Sequence, residues 1–146
     1  MRFEQVACEV GQAVYGRPPT RLQHIGSLVC RRMRGHPELF SEHAFGNALD
    51  VTGFSYPPLE ESLLPPGVHP VFGNAFSVTV GRHWRPQPGV AGLHSTFLRR
   101  LMRALIARAD IFRCVLGPAA QGHSRHFHFD CGRDRRVVVF AEESES

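Results

Sequence analysis

The sequence predicts a single α+β domain spanning residues 1–146. Three observations carry this: two segments with helical apolar periodicity, short alternating runs between and after them, and no repeat or linker that would divide the chain. A chain of 146 residues is one ordinary domain, able to bury about two-thirds of the surface its unfolded form exposes.

Taken in order, Phe3, Val6, Ala7, Val10, Ala13 and Val14 recur at helical spacing, so residues 2–15 read as an amphipathic helix that Gly16 and Pro18-Pro19 end. Leu22 to Cys30 contains an alternating apolar run suited to a short strand, and an Arg- and Gly-containing stretch then leads to Ser41. Ala48 to Val51 reads as another strand. Repeated Pro and Gly from Tyr56 to Gly73 predict a long irregular connection, and the loop at 55–75 is expected to border a substrate groove. Phe76 to Val80 alternates as a strand, and Arg85-Pro86-Gln87-Pro88-Gly89 is a break. Leu98, Leu101, Met102, Leu105, Ile106 and Ala109 then form one apolar stripe, with Arg99, Arg100, Arg103 and Arg108 elsewhere on the helix, as in a surface helix packed on a core. Two short strands follow, around Phe112–Leu116 and His126–Cys131. The run Arg136 to Phe140 and an acidic tail, Glu142 to Ser146, expected to fray, complete the chain.

Composition narrows the function classes. Apolar residues at 42% and charged residues at 21% are globular values, and no stretch reaches the roughly 20 apolar residues that span a bilayer. The start carries no apolar run of the kind that marks a secretory signal. A net charge of +4 favours anionic surroundings without choosing among them. The densest basic run, Arg31-Arg32-Met33-Arg34, has no stacking aromatics beside it, and no zinc-finger or RNA-binding spacing is present, so nucleic acid is not an expected partner. Cys8, Cys30, Cys114 and Cys131 contain no C-x-x-C pair, which argues against a zinc ribbon or a redox motif; disulfides and free thiols both remain open.

Two clusters carry chemistry. In the first, Gly122 to Asp130, three histidines fall within six residues; as a strand, it projects His126, His128 and Asp130 from one face and Phe127 and Phe129 from the other. In the second, Ser41 to Asp50, His43 and Asp50 stand seven apart, and Gly46-Asn47 between them can take left-handed conformations that turn the chain back. Each cluster alone has an ordinary reading, a half-exposed strand or a turn. Together they supply imidazoles and a carboxylate, and three such protein ligands plus water make up a catalytic zinc site rather than a closed structural one.

The stretch S-E-H-A-F-G-N-A-L-D-V resembles the S-x-H-x-x-G-x-A-x-D motif of zinc D-Ala-D-Ala metallopeptidases, and H-x-x-H-x-H is similar to the second motif of their murein endopeptidase branch. Within that group the chain most resembles the extensin-like C-terminal domain of bacterial proteins. Supporting pieces are Gly26 to Arg31, Val51 to Phe54, Trp84, and Val115 to Pro118, in the same order. The resemblance implies a small antiparallel sheet carrying the metal site, packed with flanking helices. It implies zinc held by His43, Asp50 and His128, and roles for His126 and Arg31 in catalysis. Its implied partner is peptidoglycan peptide in the periplasm or cell envelope of a bacterium.

His123 is expected to lie in a second layer or along the groove. Some of these peptidases carry a glutamate base three residues before the last zinc-binding histidine; here that position is Arg125. His126 or Asp130 would have to replace it, and His126 is favoured because imidazole titrates near neutrality. Asp130 can instead orient a histidine. Arg31 can stabilise an oxyanion or simply face solvent, and Ser41 can meet substrate or cap the turn. His24, His36, His69, His83 and His94 are expected to be structural or solvated. Two other readings stay open: a wall-associated binding domain that keeps the metal without catalysis, and, on ligand type alone, the two-His-one-carboxylate triad of non-haem iron oxygenases.

Overall fold

The computed structural model describes residues 3–33 and 36–141; the acidic tail expected to fray lies outside them. It is a mixed α+β domain. Its elements in chain order are α1 (Phe3–Tyr15), β1 (Arg21–Gly26), β2 (Arg32–Met33), β3 (His36–Phe40), β4 (Ala48–Tyr56), β5 (Phe76–Thr79), α2 (Val80–His83), α3 (Gly92–Ala107), β6 (Cys114–Leu116), β7 (Phe127–Asp130) and β8 (Arg136–Val138).

The main sheet runs β1-β4-β7-β6-β8, and β5 also pairs with β4. β4 is the hub. One of its edges pairs with β1, while the other is shared by β7 along residues 48–51 and β5 along residues 53–56. A register shift in the β1 pairing near Gly53 moves the inward positions of β4 from Val51 to Phe54 and Tyr56. Gly53 is required there, since a Cβ would stand 2.5 Å from the Val78 carbonyl oxygen of β5. The expectation of an antiparallel sheet needs correction: β6 and β8 run parallel.

The two amphipathic helices cover one face of this sheet. Val6, Ala7, Val14 and Tyr15 of α1 and Phe97, Leu98, Leu101, Met102 and Leu105 of α3 are buried against Val51, Phe54, Tyr56, Val78, Phe127 and Phe129. The stripe read from the sequence is therefore core, except that α3 ends at Ala107 and leaves Ala109 beyond it. The opposite face of the sheet carries Asp50, His128 and Asp130.

The strand expected over Leu22 to Cys30 stops at Gly26. Beyond it the main chain bonds elsewhere: Val29 N–H donates to the His43 carbonyl and Ser41 N–H to the Arg31 carbonyl, so this segment folds over the His43 turn, and Leu28 is 70% exposed despite its apolar character. Val80 opens α2 rather than closing β5. The long connection after β4 contains two short 3-10 turns, Glu61–Leu63 and Pro70–Gly73, and packs beside the end of α1, where Arg17 donates to the Phe72 and Asn74 carbonyls.

Candidate metal centre

Local chain geometry brings the first two candidate ligands together. Ser41 caps a 3-10 turn, Glu42–Phe45, by accepting the His43 N–H at 3.4 Å, and Gly46, at φ 71°, closes the turn by donating to the His43 and Glu42 carbonyls. Only glycine adopts that backbone readily. The chain then reverses into β4, and Asp50 arrives on the side where His43 stands. The third candidate ligand comes from sheet register: Asp50 lies directly opposite His128 on β7, so both side chains leave the same face.

The result is a triangle of donor atoms. His43 Nε2 lies 3.2 Å from His128 Nδ1 and 3.2 Å from Asp50 Oδ1, and His128 Nδ1 lies 2.9 Å from the same oxygen. Tetrahedral zinc with bonds of about 2.0–2.1 Å needs ligand separations of about 3.3 Å, so the triangle fits such an ion with little movement. The other ring nitrogens fix the tautomers. His43 Nδ1 faces the Ser27 carbonyl at 3.3 Å and His128 Nε2 faces Asp130 Oδ2 at 2.9 Å, so each donates outward and turns its other nitrogen into the triangle. The three side chains are 1%, 13% and 12% exposed for His43, Asp50 and His128. These residues can hold a metal ion.

Electrostatics support the arrangement. Burial works against a charged imidazole at His128, but hydrogen bonds to Asp130 and Asp50 outweigh it and raise the ring to about 11, so without metal it is protonated on both nitrogens. Burial also works against a charged Asp50, yet the His128 bond and the neighbouring His43 and His126 hold it below its ordinary value. His126 and His123 are both pushed down, first by burial.

His126 precedes β7 but shares the site: its Nε2 lies 3.9 Å from Asp50 Oδ1, and its ring stands 4.8 Å from that of His123. His123 is held by its contact with the Gln121 carbonyl at 2.9 Å and lies 5.9 Å from the His128 ring. Asp130 takes the orienting position, its second oxygen accepting the Gly132 N–H at 2.9 Å. Ser41 is found in the capping role. Arg31 is not brought in: its side chain is exposed and makes no hydrogen bond or ion pair with the cluster. The two hollows lined by α2, α3 and the Arg125 segment include no residue of the 55–75 loop.

One residue was missed by sequence reasoning. Cys114 on β6 pairs in register with Asp130, and its sulfur, a His128 nitrogen and an Asp130 oxygen form a second group able to hold a metal ion. Only the β6–β7 register reveals it. All four cysteines are free thiols.

Fold and site together define an α+β domain with a His–Asp–His cluster on its open sheet face. The family model described as extensin-like protein C-terminus matches residues 2–58, from α1 through β4, which carry His43 and Asp50. That match supports the extensin-like part of the resemblance and does not reach the histidine motif on which the metallopeptidase part rests. No curated protein and no solved structure matched the chain.

Proposed function

We propose that the chain is a zinc-dependent hydrolase that cleaves peptide bonds next to D-amino acids in bacterial cell-wall peptidoglycan, acting in the cell envelope. The observation that carries this reading is the convergence of two imidazole nitrogens and one carboxylate oxygen within 3.2 Å of one another, beside a third histidine. The extensin-like match supports it, because it spans two of the three ligands.

Zinc held there would lower the pKa of its water towards about 7 and polarise a substrate carbonyl. The chain's own groups do the rest. His43 and His128 would each turn one ring nitrogen to the ion, His128 giving up its proton to do so, Asp50 would add a carboxylate oxygen, and Asp130 fixes the His128 ring. His126 is the proton acceptor: burial keeps it neutral at pH 7, its tip faces Asp50, and the His123 ring beside it restricts its motion.

Digestion of defined muropeptides followed by mass spectrometry tests the proposal. The parent is expected to release peptide products, and His126→Gln to release them about 100- to 10,000-fold more slowly with zinc content unchanged. No products from any muropeptide would refute hydrolysis. A second reading is favoured by Arg125 standing where some of the peptidases carry glutamate, and by the exposed Arg31: a zinc-holding wall-binding domain without turnover. It expects the zinc-loaded protein to bind muropeptides and leave them intact.

A further inference from the structure

A groove of about 820 Å³ runs between α2, α3 and the segments around Pro118 and Arg125, the latter adjoining His126 in the chain. Arg82, Arg85, Arg99, Arg103 and Arg125 line it, and among the described residues no aspartate or glutamate does. Among the described residues none of the five has a carboxylate partner. Arg99 is half-buried, with its Nε enclosed and without a hydrogen-bond partner. Like charges gathered along one wall repel, and a ligand carrying negative charge relieves that repulsion.

Guanidinium forks match carboxylates, as they match phosphates, in pairs of parallel hydrogen bonds. Nucleic acid would also bring charge, but its bases need a free aromatic face. Trp84 offers none: Arg99 lies 5.0 Å from its ring centre, and Phe127 and Phe140 each pack at 5.4 Å. A second hollow adjoins the groove through Gly81, Arg82 and Arg125, which line both. Arg125, the neighbour of His126, lines this hollow with Thr79 and with Thr52, which follows Asp50 by two residues on β4.

We propose that this groove binds the acidic segment of a peptide, holding its carboxylates at a distance from the bond presented to the metal cluster. As a statement about substrate it rests on the hydrolase reading; as a binding site it does not. Trp84 is the chain's one tryptophan and lines the groove, so its fluorescence reports occupancy. Titration of the full, chelator-treated chain with hexaglutamate is expected to give a saturable change whose affinity falls with salt, while hexaglutamine gives none. Arg82→Gln with Arg103→Gln, both at exposed positions, is expected to weaken hexaglutamate binding about tenfold or more, and the matching lysine pair to keep most of it. Glu142, Glu143 and Glu145 follow Ala141 of the groove wall in the sequence, so changing all three to glutamine is expected to leave binding no weaker than in the parent.

Equal responses to hexaglutamate and hexaglutamine, an unaffected glutamine pair, or tighter binding of oligothymidylate at equal charge would each overturn the assignment. Hexaglutamate binding without muropeptide cleavage would remove only the catalytic reading. Cleavage without hexaglutamate binding would remove only the groove.

Discussion

Replacing Asp130 with asparagine probes the candidate metal triangle without touching any of its three corners, His43, Asp50 and His128. Asp130 is 6% exposed, and its two oxygens have separate tasks: Oδ2 accepts from His128 Nε2 at 2.9 Å and Oδ1 accepts from the Gly132 N–H at 2.9 Å. An asparagine of nearly the same size can keep its oxygen on Gly132, but its NH₂ then meets the His128 N–H, two donors face to face, and the negative charge that makes the ring a stronger ligand is gone. Loss of such an outer partner weakens metal binding by about 10- to 100-fold, equivalent to about 1.4–2.7 kcal/mol. Competition for zinc against a chromophoric chelator measures it directly. Cys114→Ser is the companion variant: Cys114 shares the second candidate group but not the triangle, so its removal is expected to change zinc affinity little. Asp130→Asn binding within about twofold of the parent, or Cys114→Ser weakening it as much as Asp130→Asn, would refute the orienting role.

Proton linkage gives a second test. The His128 pKa is raised from about 6.5 to about 11, so its stabilising charge in the metal-free chain is complete below pH 6.5 and fades as pH climbs towards 11. Thermal melts of chelator-treated protein should show this decline, and His128→Gln should flatten it; zinc, which must displace a proton, should stabilise more at pH 8 than at pH 6. His94 shows the opposite sign. Burial and the nearby His83 lower it to about 4, so stability present above about pH 6.5 is lost as pH falls through 4, and His94→Phe should reduce that acid sensitivity. In the core, Phe97 is fully buried against Tyr15, Phe54 and Tyr56, and Phe97→Ala should cost about 3–5 kcal/mol in urea unfolding.

The parts of this protein that were legible in its sequence are those written in local spacing. The α3 stripe placed Leu98, Leu101, Met102 and Leu105 in the core because a helix repeats its face every 3.6 residues. Alternation in Phe127-His128-Phe129-Asp130 separated core from site in the same way. Parts decided by distant partners were not legible. Whether β8 runs parallel to β6, and whether Cys114 meets Asp130, depends on register between segments that carry no mark of their pairing. Leu28 and Val29 have the apolar character of strand positions, but the Val29 N–H is claimed by the His43 carbonyl. The arginine groove escaped for a related reason: its charges come from α2, α3 and the His123–His126 segment and gather only in three dimensions.

Metal analysis of protein purified without chelator reads the His43–Asp50–His128 triangle itself. About one zinc is expected per parent chain, and little or none in folded His43→Ala, Asp50→Ala and His128→Ala variants, since each removes one corner of a three-ligand site. Iron in place of zinc, or undiminished zinc in any of the three variants, would contradict it.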